Sequence, residues 1–199
     1  QSTSYIAPVF DPNKLSGHDD ATLQEGETRA TQLHHLANLA DPFDYSTHEN
    51  QLILAKQLIE HGANVNAPSS PEGHTPLQYA CFKGVVTNLD LVELLLVKGA
   101  NPNAQNQLGK TPLMVTIPDA PGAANFLLNQ ATTDVDITAR SGASFLAGVR
   151  STITDFSNKV SLPDNPDRVG HQFVLQQWRE IEEMLVERGA VDTGIATIE

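Results

Sequence analysis

Apolar positions cluster in short runs that recur along the chain: Leu54-Ala55-Lys56-Gln57-Leu58-Ile59, then Leu91-Val92-Glu93-Leu94-Leu95-Leu96, then Ile181-Glu182-Glu183-Met184-Leu185-Val186. Each run predicts a short helix, and each closes on the same dipeptide, Gly62-Ala63, Gly99-Ala100 and Gly189-Ala190. Polar and turn-forming residues follow, and then a second marker opens the next apolar stretch. Thr75-Pro76-Leu77 stands 13 residues after Gly62, and Thr111-Pro112-Leu113 stands 12 residues after Gly99. The two Thr-Pro-Leu copies are 36 residues apart, and Ser144 follows Thr111 by 33. A fainter first copy, Thr31-Gln32-Leu33-His34-His35-Leu36-Ala37, precedes Thr75 by 44 residues, which predicts a longer loop between its helices. Markers returning at a near-constant interval predict a stack of one repeated unit.

The residue types explain the markers. A Thr at the N-cap accepts a hydrogen bond from an orphan backbone N–H, and Pro at the next position has no N–H to waste and a φ already suited to a helix. Loss of such a cap costs about 1 kcal/mol. Gly62, Gly99 and Gly189 fall where a helix ends and a left-handed residue is wanted. Asn64, Asn66, Asn101, Asn103 and Asp134 suit the turn that follows. Helix pairs this short cannot bury their own apolar faces, so the core must be completed by the neighbouring unit.

On these residues the chain resembles the ankyrin repeat family, whose signature is T-P-L-H-x-A at a period of about 33 residues. Thr75-Pro76-Leu77-Gln78-Tyr79-Ala80-Cys81 matches with Gln78 in place of His; Thr31-Gln32-Leu33-His34 keeps the His and lacks the Pro; Ser144-Phe145-Leu146-Ala147 keeps the Leu and a hydroxyl. In the third unit Thr132-Thr133 replaces Gly-Ala, and Asp134-Val135-Asp136 follows in its expected place. The resemblance covers residues 29–192 and implies an all-α solenoid of four helix-turn-helix repeats, at about 29–66, 73–104, 109–137 and 142–192. Residues 1–28, with Tyr5-Ile6-Ala7-Pro8-Val9-Phe10, form an extended arm expected to lie along the first repeat, and residues 193–199 form a tail.

Two stretches depart from the family pattern. Ser144 to Gly189 spans 45 residues where Thr75 to Gly99 spans 24, so the last repeat is enlarged. Phe145, Val149, Ile153 and Phe156 recur at helical spacing and predict an inner helix that runs past its normal end; Leu162-Pro163-Asp164-Asn165-Pro166 breaks it, and a second helix follows from about Gly170 to Arg188. Trp178 in that helix reads either as packing against the extension or as an exposed anchor for a partner. The other departure, Ala40 to Asn50, reads as a loop carrying Phe43 and Tyr45.

Composition narrows the function. With 40% hydrophobic residues and no apolar stretch long enough to span a membrane, the expectation is one soluble domain without membrane insertion, monomeric on its own. A net charge of −12 argues against nucleic acid and fits a basic partner, or serves solubility alone. Cys81, the single cysteine, forms no intramolecular disulfide and its helix position suggests burial. The chain starts at Gln1 rather than Met: removal of a secretory signal would place it in a periplasm or outside the cell, whereas a cut within a longer chain leaves the cytoplasm, where ankyrin proteins are common. His34, His35, His48, His61, His74 and His171 show no metal-ligand spacing, and no nucleophile elbow, P-loop or dinucleotide fingerprint occurs. No cofactor and no catalysis are expected, an enzyme of unrecognised activity being the remote alternative.

The resemblance implies a non-catalytic module that binds a partner protein on its concave face, through the variable turn tips and inner helices. Carried over position by position, these are Pro71, Glu72 and His74, then Gln107, Leu108 and Lys110, then Arg140 and Ser141, with Phe82 and Lys83 at the end of an inner helix. Phe82 is either exposed as the centre of this face or buried between repeats. Two roles remain: an adaptor or scaffold, and a dedicated inhibitor such as an immunity protein covering a toxic effector.

Overall fold

In the computed structural model the described residues are 32–37, 45–69, 71–82 and 88–193. The arm at 1–28, residues 40–44 of the expected loop, Lys83 and the tail beyond Thr193 lie outside them. All regular structure among the described residues is helical: α1 over residues 32–37, α2 Tyr45–Glu60, α3 Pro76–Phe82, α4 Leu89–Val97, a single 3-10 turn Met114–Thr116, α5 Pro121–Leu128, α6 Phe145–Ser161 and α7 Arg168–Glu187.

The helices form two rows. In the outer row α2 packs on α4, α4 on α5, and α5 on α7; in the inner row α3 packs on the 3-10 turn. One apolar core runs through both rows, from Leu33 through Leu77, Leu95 and Leu127 to Leu185. Cys81 lies inside it, where burial pushes its thiol up to about 12. Outer helices end on glycines at positive φ, 91° at Gly62, 91° at Gly99 and 75° at Gly189, as the Gly-Ala markers require.

Beyond those glycines an Asx ladder ties the stack together. Asn66 donates its amide to the Gly99 carbonyl (2.9 Å) and accepts from the Asn101 N–H (2.7 Å). One unit later Asn103 repeats this, donating to Thr132 O (2.8 Å) and accepting from Asp134 N–H (2.9 Å). These side chains satisfy backbone groups of the next unit, which is why Asn and Asp recur there.

Two expectations need correction. The stretch expected as loop up to Asn50 is helical from Tyr45 onward. No Pro or Gly interrupts Tyr45–Glu60, and the polar Gln51 shares the buried face of Ala55 and Leu58 at helical spacing, so the helix runs unbroken through a stretch that carries no apolar pattern. In the third repeat the expected inner helix shrinks to the 3-10 turn. Pro118, which has no N–H to donate, stands six residues after Pro112 and ends the helix early.

The enlarged last repeat takes the expected form. α6 has 17 residues against 7 in α3, and packs along the 20-residue α7. Trp178 is fully buried, meets Phe145 edge-on with ring centroids 6.5 Å apart, and donates its indole N–H to the Pro118 carbonyl at 2.9 Å. It is core, not an exposed anchor. Arg150 on α6 joins Glu182 of α7 (2.7 Å) and Asp192, closing the far end of the stack.

Candidate functional site

Three tight turns project side by side as fingers between the helix pairs. Ser69 N–H donates to His74 O (2.8 Å), Asn106 N–H to Lys110 O (3.1 Å), and Ala139 N–H to Ala143 O (3.0 Å), so each finger is a minimal hairpin. Neighbouring fingers are joined through backbone, Gln107 N–H to Glu72 O at 3.1 Å and Arg140 N–H to Leu108 O at 3.0 Å. Gly109 sits at φ +72°, and a Cβ there would lie 2.6 Å from the Arg140 nitrogen. Only glycine allows both the left-handed turn and this close approach.

Behind the tips, buried polar side chains do structural work. Gln78 accepts from the Thr75 N–H (2.8 Å) while its own N–H donates to Thr75 Oγ1 (3.3 Å), a reciprocal capping box. The same Gln78 amide donates to Ala104 O (3.2 Å) and Lys110 O (2.7 Å), holding the base of the second finger. His34, at the matching position of the first copy, donates from Nε2 to Ala67 O at 2.8 Å. Gln is therefore an adequate replacement for the usual His. Thr111 and Ser144 supply simpler caps, accepting from Met114 N–H (3.3 Å) and Ala147 N–H (3.2 Å).

Asn106 was not singled out in the sequence, and it organises the second finger. Its carboxamide oxygen accepts from Leu108 N–H and Lys110 N–H, both at 2.9 Å. The readable signal is an Asn three residues before a turn Gly, the Asx-turn arrangement. Gln105 adds a bridge, donating to Gly109 O (2.8 Å) and across to Thr138 O (3.1 Å).

With the scaffold satisfied internally, the expected site residues fall at the tips. Pro71, Glu72, Gln107, Leu108, Lys110, Arg140 and Ser141 are exposed, while His74 is half-buried. Phe82 is 62% exposed at the end of α3, and Leu108 is also 62% exposed, so the buried reading of Phe82 is excluded. Lys83 is outside the described residues. His74 faces Glu72 Oε2 at 3.4 Å, accepts from the Asn106 amide at 3.4 Å, and lies against the Tyr79 ring at 5.3 Å between centroids. Burial lowers its pKa below the ordinary imidazole value; Glu72 opposes this and Lys110 adds to it.

Nothing in this arrangement brings an acid, a base and a nucleophile together. Among the described residues no group of three or more His, Cys, Asp or Glu is placed to hold a metal ion. A shallow groove of about 470 Å³ beside α7 is lined by Ile153, Val186, Arg179 and the carboxylates of Glu182, Glu183 and Glu187, which offers no nucleophile–base pair. No described helix is long and apolar enough to cross a membrane.

Known proteins place this architecture. A family model described as ankyrin repeats, in three copies, matches residues 43–141, and this part of the chain belongs to that family. A Caenorhabditis elegans ankyrin repeat and LEM domain-containing protein 1 homolog is 37% identical over 92 residues, covering 45% of this chain and 12% of that protein. The 2-5A-dependent ribonuclease of Mus musculus is 37% identical over 67 residues, covering 34% of this chain and 9% of that protein. An ankyrin repeat protein of Acanthamoeba polyphaga mimivirus is 40% identical over 74 residues, 37% of this chain and 46% of its own. The chain thus matches less than half the length of each of these relatives. Ankyrin repeats typically mediate protein–protein interaction without catalysis.

Proposed function

We propose that this chain is a non-catalytic module that holds a partner protein against the face made by its fingertips and inner row, as an adaptor or scaffold. The observation that carries this reading is the division of labour on that face. Thr75, Gln78, Asn106 and Gly109 are committed to internal bonds or close contact, whereas Phe82 and Leu108 each stand 62% exposed. Exposed aromatic and aliphatic side chains beside charged ones have the anatomy of an interface centre. Residues 142–192 continue the stack as an enlarged end repeat in this reading. An adaptor is preferred to a dedicated inhibitor because the C. elegans and mouse relatives match through 12% and 9% of their lengths, so there the repeats are parts of larger proteins.

Affinity capture with the whole chain, followed by mass spectrometry, identifies the partner, and calorimetry then maps the face. Phe82→Ala combined with Lys110→Glu and Arg140→Glu is expected to weaken binding by at least about 2 kcal/mol. Glu93→Lys with Glu183→Lys, on the outer row, is expected to change affinity little. Disruption by the outer pair alone would overturn the assignment of the face.

A further inference from the structure

The partner's chemistry is legible at the fingertips. The chain carries 24 acidic against 12 basic residues, so a surface patch drawn at random is acid-rich. The second and third fingers break that rule, with Lys110 and Arg140 exposed on neighbouring fingers that the Arg140 N–H to Leu108 O bond holds side by side. Among the described residues neither cation makes an ion pair, while Arg150 is engaged by two carboxylates and Glu72, the acidic residue of the first finger, faces His74. Leu108, two residues before Lys110, is exposed between these charges along the chain of contacts.

We propose that the fingertip row takes an acidic segment of the partner protein, in which carboxylates meet Lys110 and Arg140 and an apolar side chain seats against Leu108. This rests on the assignment of the face made above. Arg140 offers a planar fork that binds a carboxylate through two N–H groups, and Lys110 offers a compact charge that tolerates several approach angles. Steering by the whole chain runs the other way, since a net charge of −12 attracts basic molecules at long range. Screening confines that field to about a Debye length, and contact chemistry decides what stays bound. A nucleic acid backbone fits less well than a peptide, because two cations neutralise too few phosphates to offset the repulsion from the rest of the chain.

The test is selection of phage-displayed random peptides on the whole chain, followed by fluorescence polarisation with the enriched peptides. The expected result is peptides with several Asp or Glu around a Leu, Ile or Phe, bound more weakly as salt rises. Lys110→Glu with Arg140→Glu is expected to cost them about tenfold or more in affinity, with helical circular dichroism unchanged, as befits desolvated charge pairs. Selection on that double variant should instead yield basic peptides. Basic or uncharged peptides from the native chain, acidic peptides indifferent to the double reversal, or tight binding of a DNA duplex in their place would each overturn the proposal. If such peptides are still weakened by Phe82→Ala and Leu108→Ala, the face stands and only its acidic preference falls. If they respond to Glu93→Lys with Glu183→Lys and to none of the fingertip changes, the face itself falls.

Discussion

The same tripeptide opens two units of the stack and produces different structures. After Thr75-Pro76-Leu77 a helix of 7 residues forms; after Thr111-Pro112-Leu113 there is a 3-residue 3-10 turn. Both threonines cap, at 3.3 Å in each case, so the signature specifies how the chain enters the unit and not how far the helix runs. Length is set further on. Six residues past the proline the second unit has Phe82 and the third has Pro118. The second unit also has Gln78 to complete a reciprocal cap, where the third has Met114, whose thioether cannot reproduce it.

Trp178 of α7 reaches back to donate to Pro118 O, where the third unit's short turn ends, and buries its ring beside Phe145. The enlarged last repeat thus packs directly on the segment where the third is cut short. Gly148 of α6 shows how close the fit is, since a Cβ there would lie 2.7 Å from Ile117 Cδ1.

The sharpest way to break this comparison is Trp178→Ala, which removes that ring. Chemical denaturation is expected to show a loss of about 3–5 kcal/mol, the range for a buried Trp truncation. A loss near zero would mean that the third unit stands without it. Next in size is Gln78→Ala, which leaves the Thr75 N–H and two carbonyls without their partner; about 2–3 kcal/mol is expected. Gln78→His should recover most of that in the same denaturation series, because His34 makes the matching bond to Ala67 O.

A finer contrast sets the two caps against each other. Thr75→Ala breaks a reciprocal pair and is expected to cost about 1–2 kcal/mol, whereas Thr111→Ala breaks a single bond and should cost about 0.5–1 kcal/mol. Equal losses would show that Gln78 adds nothing to the cap. The smallest effect is electrostatic and belongs to His74. Its pKa is lowered in the folded state, chiefly by burial, so just below the ordinary value of about 6.5 the unfolded chain binds more protons. His74 therefore contributes full stability above that pH, and the contribution falls as the pH drops through the window beneath it. Denaturation midpoints measured at about pH 7.5 and about pH 5 should fall further for the native chain than for His74→Gln.

Much of the stack was legible in the sequence because its rules are local. A Thr before Pro caps a helix whatever lies beside it, a Gly after an apolar run ends one, and returning markers identify the repeat. Ankyrin repeats, an all-helical fold and an enlarged last repeat follow from such signals. The fingertip residues could also be located, since they are what remains when the scaffold positions are assigned.

Other features depended on contacts between distant segments. Whether Phe82 is covered and whether Trp178 faces the core each turn on segments distant in the chain, such as Pro118 for Trp178. The start of α2 at Tyr45 and the collapse of the third inner helix were missed for a related reason. An apolar pattern marks which face is buried, while where a helix begins and ends is decided by competition between capping, proline and the packing that neighbouring repeats provide. The chain's local chemistry determined the repeating unit; the tertiary structure decided where each unit deviates, because only there do the neighbours that reward a deviation come into contact.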